Sequence, residues 1–191
     1  MKNNNSNTAS SQPINVDNLI SRLQREDKRN KRIMMVMFFI YLAFSLIYLF
    51  MFIINPDPSL SITYRMAGLS FVIAFFIGTV FFWFRYKNLK KLDYTLPLVQ
   101  VLEKTVERFR FWGTKWIPVL IVVLLVDIGF TISYYHKFEY WDTAFWIKIL
   151  SIQALYWGIM LAGGLIGYIR WLKRSKPIWK DAKTLLEELK N

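Results

Sequence analysis

The stretch FFIYLAFSLIYLFMFII, residues 38–54, decides the fold: seventeen residues pass without one charged side chain and without a polar face recurring at the helical period. A helix buried in a soluble bundle must meet water somewhere and shows that as polar positions every 3.6 residues. This stretch shows none. Extended back to Ile33 it becomes a block of 33–54, beyond the roughly 18 apolar residues that mark a membrane-crossing helix.

Three more blocks follow outward from it, at 66–84, 117–135 and 144–169, each long enough at about 1.5 Å per residue to cross a hydrocarbon core of about 30 Å. With 54% hydrophobic and 18% aromatic residues, the chain is too apolar for a soluble domain of 191 residues. The first block starts too late and runs too long for a cleaved signal peptide, and Asn55-Pro56-Asp57-Pro58 follows it in place of a small-residue cleavage site. The fold class expected is an all-α integral membrane protein, four transmembrane helices in two hairpins with short amphipathic cytoplasmic helices.

The basic residues orient it. Of the 25 Lys and Arg, seven precede the first block, eight lie between the second and third, and seven follow the fourth. The other two loops hold only Arg65 and Lys137, and Lys148 lies inside the fourth block. Basic loops stay on the cytoplasmic side, so both termini and the central loop are expected there, in a cell inner membrane. The +12 net charge is then that of flanks resting against anionic headgroups, and nucleic acid is not an expected partner because none of the usual binding motifs is present.

Residues 1–13, rich in Asn and Ser, are expected to be a disordered tail. Over 14–32, Val16, Leu19, Ile20 and Leu23 form an apolar stripe opposite Arg22, Arg25, Arg29 and Arg32, predicting a basic amphipathic helix that either lies on the membrane or runs into the first span. Within the domain 33–175, Thr95 or Asp93 is placed to cap a helix over 95–112, with Pro97 in its first turn. Its stripe of Val99, Leu102, Val106 and Phe109 is the candidate interaction surface, to rest on headgroups or on another cytoplasmic helix. Past Pro177, 176–191 repeats the design with Ile178, Ala182, Leu185 and Leu189 on one face, and a Lys183–Glu187 pair one turn apart.

Few residues invite chemistry. Asp127 sits near the middle of the third span, where a charge costs at least about 2.5–3.5 kcal/mol and is normally turned to a partner. Counting from the outer ends brings Gln153 of the fourth span to its level, with Lys148 a turn nearer the outer surface. The expected use is an interhelical polar contact of Asp127, Gln153 and Lys148. The other use, a proton or cation site, would make the chain a small transporter or channel subunit. Ala74 and Gly78, and Gly163 and Gly167, are small residues at four-residue spacing that allow close helix packing; packing within one chain is the simplest use, a homo-oligomer seam the next. Trp and Tyr at the span ends, including Trp83, Trp112, Trp116, Tyr134, Tyr135, Trp141, Trp146, Trp171 and Trp179, read as interfacial belts.

The absence of cysteine removes disulfides, cysteine-ligated metals and cysteine lipidation, and a single histidine, His136, cannot build a bis-histidine haem or a three-histidine zinc site. No Gly-rich phosphate loop is present. Neither cofactor nor catalytic residues are expected. The composition has the general look of a small prokaryotic inner-membrane protein, non-catalytic, a regulator or assembly subunit presenting its cytoplasmic helices to a partner. Beyond the lipid bilayer, the expected partners are a protein of the cytoplasm or membrane, or a second copy of the chain.

Overall fold

The computed structural model describes residues 15–111, 113, 116–135 and 144–190. These form five α-helices in chain order: α1 (Val16–Tyr48), α2 (Ile62–Lys90), α3 (Leu98–Phe109), α4 (Ile117–Tyr135) and α5 (Phe145–Lys190). No strand occurs among the described residues, and α1, α2, α4 and α5 are each long and apolar enough to cross a membrane. The tail 1–13, His136, Trp112 and Trp141 lie outside the described residues.

α1 starts where the Asn15 side chain accepts the Asn18 amide at 3.0 Å, satisfying one of the amides a helix leaves open at its start. It then continues through the basic segment into the apolar block without a break. From Val16 on, the amphipathic stretch expected over 14–32 is therefore the first half of a helix about 50 Å long that runs into the first apolar block. Its far end widens into a π-helical segment, Leu49–Ile54. The carbonyls exposed there and in the following turn point at one guanidinium: Arg65 donates to Phe52 and Ile53 at 3.4 Å and to Asn55 and Asp57 at 3.0 Å. This is how the lone cation of that loop is used, at the negative end of the helix dipole.

α2 is capped by the Ser61 hydroxyl, which accepts the Tyr64 amide at 3.3 Å. It packs along α1 through its small residues. Ala74 is fully buried, and a Cβ on Gly78 would stand 2.2 Å from the Tyr41 ring, so only glycine admits that ring. Gly68 receives Phe52 in the same way, and Tyr41, Phe44 and Tyr48 interleave with Phe71, Phe75 and Phe82. α4 closes on the other side of α2, where Gly129 lies against Phe71 and the Ala67 carbonyl.

α5 differs from the expected pair of helices. Of the predicted C-terminal helix 176–191, residues 176–190 continue the fourth apolar helix, and Pro177 lies inside it. An interior proline costs a helix about 3 kcal/mol through its missing amide and ring clash. Burial of Ile178, Ala182 and Leu185 just beyond it offsets that cost, each large apolar side chain contributing about 1.5–3 kcal/mol.

Those three residues belong to a core that the sequence distributed over three segments. Leu19 and Leu23 of α1, Leu102 and Phe109 of α3, and Ile178, Ala182 and Leu185 of α5 form one buried cluster, with Val16, Tyr94, Leu98, Val106, Trp179 and Leu186 against it. The first half of α1, all of α3 and the last part of α5 are thus a three-helix bundle at one end of the long helices. Because it carries most of the Lys and Arg, we call it the basic end. Trp179 is half-buried and packs against this core.

Candidate functional site

The helix expected over 95–112 covers Leu98–Phe109, and Pro97 is its N-cap, without a side-chain capping bond. Asp93 closes its own turn instead, accepting from the Thr95 amide at 2.8 Å and hydroxyl at 2.7 Å, so it does not cap the helix. Its buried face runs through Val101, Leu102, Thr105 and Phe109. Of the predicted stripe, Leu102 and Phe109 are buried, Val106 packs against the core and Val99 stays half-exposed outside it. The face is rotated from the prediction because Thr105 satisfies its hydroxyl on the Val101 carbonyl at 2.7 Å, which lets a polar residue enter the core. The occupant of the stripe is α1 and α5 of the same chain.

Ion pairs cross the bundle. Arg22 reaches Asp181 at 2.9 Å, Lys190 reaches Glu103 at 2.7 Å, and Arg108 reaches Asp27 at 2.9 Å. The first two are exposed and contribute at most about 1 kcal/mol each. The third is buried, and the Tyr94 hydroxyl donates to the same Asp27 oxygen, Oδ2, while Oδ1 is buried and has no hydrogen-bond partner among the described residues. Burial pushes the Asp27 carboxyl above the usual carboxylate range, although Arg108 and the Tyr94 hydrogen bond pull it back. Burial and the neighbouring carboxylate also push the Tyr94 phenol upward. Sequence reading passed over Asp27, but the signal was there: it follows Leu19 and Leu23 at four-residue intervals, on the apolar stripe of its helix.

Between the long helices, Gln153 Nε2 donates to Asp127 Oδ1 at 3.0 Å and to the Thr131 hydroxyl at 2.8 Å. Trp157 Nε1 in turn donates to Gln153 Oε1 at 2.9 Å, and one turn along α5 the Tyr156 hydroxyl donates to the Val123 carbonyl at 2.6 Å. Thr131, Trp157 and Tyr156 were not anticipated as members. Lys148 is not one: among the described residues its ammonium makes no hydrogen bond or ion pair, since it lies more than a turn before Gln153 on α5. What the arrangement does chemically is hold α4 to α5.

Gly163 and Gly167 do not pack a helix. A Cβ on either would meet nothing within 4 Å, and every residue of 161–170 is exposed. Ile152 and Tyr156 hold the first part of α5 against the molecule, whereas further along the same helix the glycines face the cavity that separates it from α1 and α2. The gap is a cavity of about 430 Å³ beside the bundle, with Gly163, Gly164 and Gly167 on one wall and Met34 and Phe81 on the other. Trp171 closes its basic end, donating to the Phe109 carbonyl at 3.0 Å and so tying α5 to the end of α3.

Among the described residues no three His, Asp or Glu side chains gather into a group that would hold a metal ion. Comparison with protein-family models, with curated proteins and with solved structures found no match to this chain.

Proposed function

We propose that this chain is a non-catalytic multi-pass protein of a cell inner membrane, built as two helical hairpins with both termini in the cytoplasm. Its role in this reading is that of a regulator or assembly subunit, presenting a folded three-helix cytoplasmic bundle to a protein partner. The observation that carries the reading is the bundle itself. Three short stretches, widely separated in sequence, share one buried core and are cross-linked by ion pairs, so the long helices end in a shaped module and not in loose tails.

The membrane setting is supported by the long helices' surfaces. Phe39, Ile47, Phe50, Phe76, Leu120, Leu124, Leu161 and Ile166 are among many large apolar side chains exposed along them, far more than water tolerates on a monomer. The orientation is supported by the charge count: the bundle lies at the end that carries the basic residues, and basic segments are retained in the cytoplasm. Asp127 is accounted for by its contact with Gln153, which favours the scaffold reading over transport.

Two measurements test this. Reporter tags at residue 2 and after Asn191 should read as cytoplasmic, and tags near Ser59 or Glu139 as external; an external reading at either terminus defeats the orientation. Photo-crosslinking residues placed at the exposed Gln100 and Glu107 of α3 should capture a discrete protein in native membranes, while the same residue at Ser59 should not. Identical adduct patterns from both ends would refute presentation by the bundle.

A further inference from the structure

The cavity beside the bundle carries an inference beyond partner presentation. Among the described residues three arginines line it, Arg85, Arg108 and Arg110, and no carboxylate does. Arg108 already faces Asp27 from inside the bundle. Arg85 does not share such a contact: it is half-buried, and among the described residues it has neither an ion pair nor a hydrogen bond, while the Arg108 charge lies near enough to repel it. A half-buried guanidinium in an apolar setting, with no ion pair of its own, is costly unless an anion joins it.

The walls state what kind of anion. Met34, Phe81, Val119 and Tyr168 make them apolar and aromatic, and the glycines of α5 leave them smooth and open toward the lipid-facing surface. By helix register Asn30 and Ser175 join the arginines toward the basic end. One end thus suits a phosphate, which guanidinium binds with paired hydrogen bonds, and the rest suits a hydrocarbon chain. Basic pockets between membrane helices at the cytoplasmic boundary are suited to anionic headgroups. We infer that this cavity is a site for one anionic phospholipid, its phosphate on Arg85 with Arg108 and Arg110 beside it, and an acyl chain along Gly163, Gly164 and Gly167.

The inference rests on the membrane reading above, and its test separates the two. The full chain is reconstituted in nanodiscs of phosphatidylcholine containing phosphatidylglycerol, and lipid retained after mild detergent extraction is counted by native mass spectrometry. One phosphatidylglycerol per chain should be retained, with phosphatidylcholine replacing it poorly and free inorganic phosphate failing to displace it. Arg85→Gln should weaken retention about tenfold or more, by loss of the charge-assisted pair. Gly163→Leu should do the same by filling the cavity from the opposite wall, where the new side chain meets open space and leaves the fold intact. Lys87→Gln, exposed on the same helix and seated over the Trp83 ring, should change retention less than twofold. Equal retention by all variants, an equal loss with Lys87→Gln, or displacement by inorganic phosphate would overturn the lipid site while leaving the membrane reading intact. Failure of the chain to enter nanodiscs at all would overturn both.

Discussion

Truncating Leu102 to alanine tests the central claim that the α3 stripe is the core of an internal bundle. Leu102 is 1% exposed and sits among Leu23, Ala182 and the other members of the buried cluster. A leucine so enclosed costs about 2–5 kcal/mol when cut to alanine, the transfer term plus the cavity left behind. Taking about 3 kcal/mol, and about 1.4 kcal/mol per tenfold, the population in which α3 is undocked rises about 100-fold. Hydrogen exchange read by mass spectrometry on peptides spanning α3, with the chain in nanodiscs, reports that population directly, because its amides exchange when the helix leaves the bundle. Their protection should fall about 100-fold, and that of the segment of α2 facing Tyr41 should not change. Val99→Ala is the internal control. Val99 belongs to the same sequence stripe but stays half-exposed outside the cluster, so its truncation should cost about 1 kcal/mol or less and lower protection by less than about tenfold. Equal effects of the two substitutions, or unchanged exchange with Leu102→Ala, would mean that the stripe faces lipid or a partner and that the bundle is not the docked state.

The glycines divide into two kinds with opposite outcomes. Gly78→Ala drives a Cβ into the Tyr41 ring and should lower thermal stability in detergent by about 1–3 kcal/mol, whereas Gly163→Ala meets open space and should raise it by up to about 1 kcal/mol through helix propensity. At Asp127, asparagine keeps the oxygen that accepts from Gln153, so the melting temperature should stay near that of the parent, while Asp127→Leu should lose about 0.6–2 kcal/mol; a folded but biologically inactive asparagine variant would instead favour a titrating site. The buried Asp27 gives a pH signature. Its folded carboxyl titrates above the unfolded value near 4, so from about pH 4 upward the unfolded chain loses its proton first and stability falls until the folded carboxyl has ionised too. Subtracting the pH profile of Asp27→Asn from that of the parent, by exchange over α3, should leave this falling component; a rising difference would show that the Arg108 pair outweighs burial.

The four long helices were legible from the sequence because an apolar run of that length is a local property: hydrogen bonds of such a helix close within the segment, and its surface needs nothing but hydrocarbon around it. The level at which Asp127 meets Gln153 was legible for the same reason, since rise per residue is fixed. Which face of a helix meets which neighbour is not local. The periodicity over 14–32, 95–112 and 176–191 announced three apolar stripes but not that they would cover one another, nor that covering them would carry the chain through Pro177 as a single helix. Four-residue spacing of small residues was the same signal at Ala74 and Gly78 as at Gly163 and Gly167. Tertiary packing made the first pair a contact and the second a cavity wall, because Tyr41 stands opposite one and no side chain stands opposite the other. Arg85 read as one more cation of a basic flank, and only the fold set it near Arg108 with no ion pair of its own among the described residues, at the basic end of an apolar pocket. Length and polarity are carried by the chain itself, whereas opposition of surfaces exists only once the chain has folded.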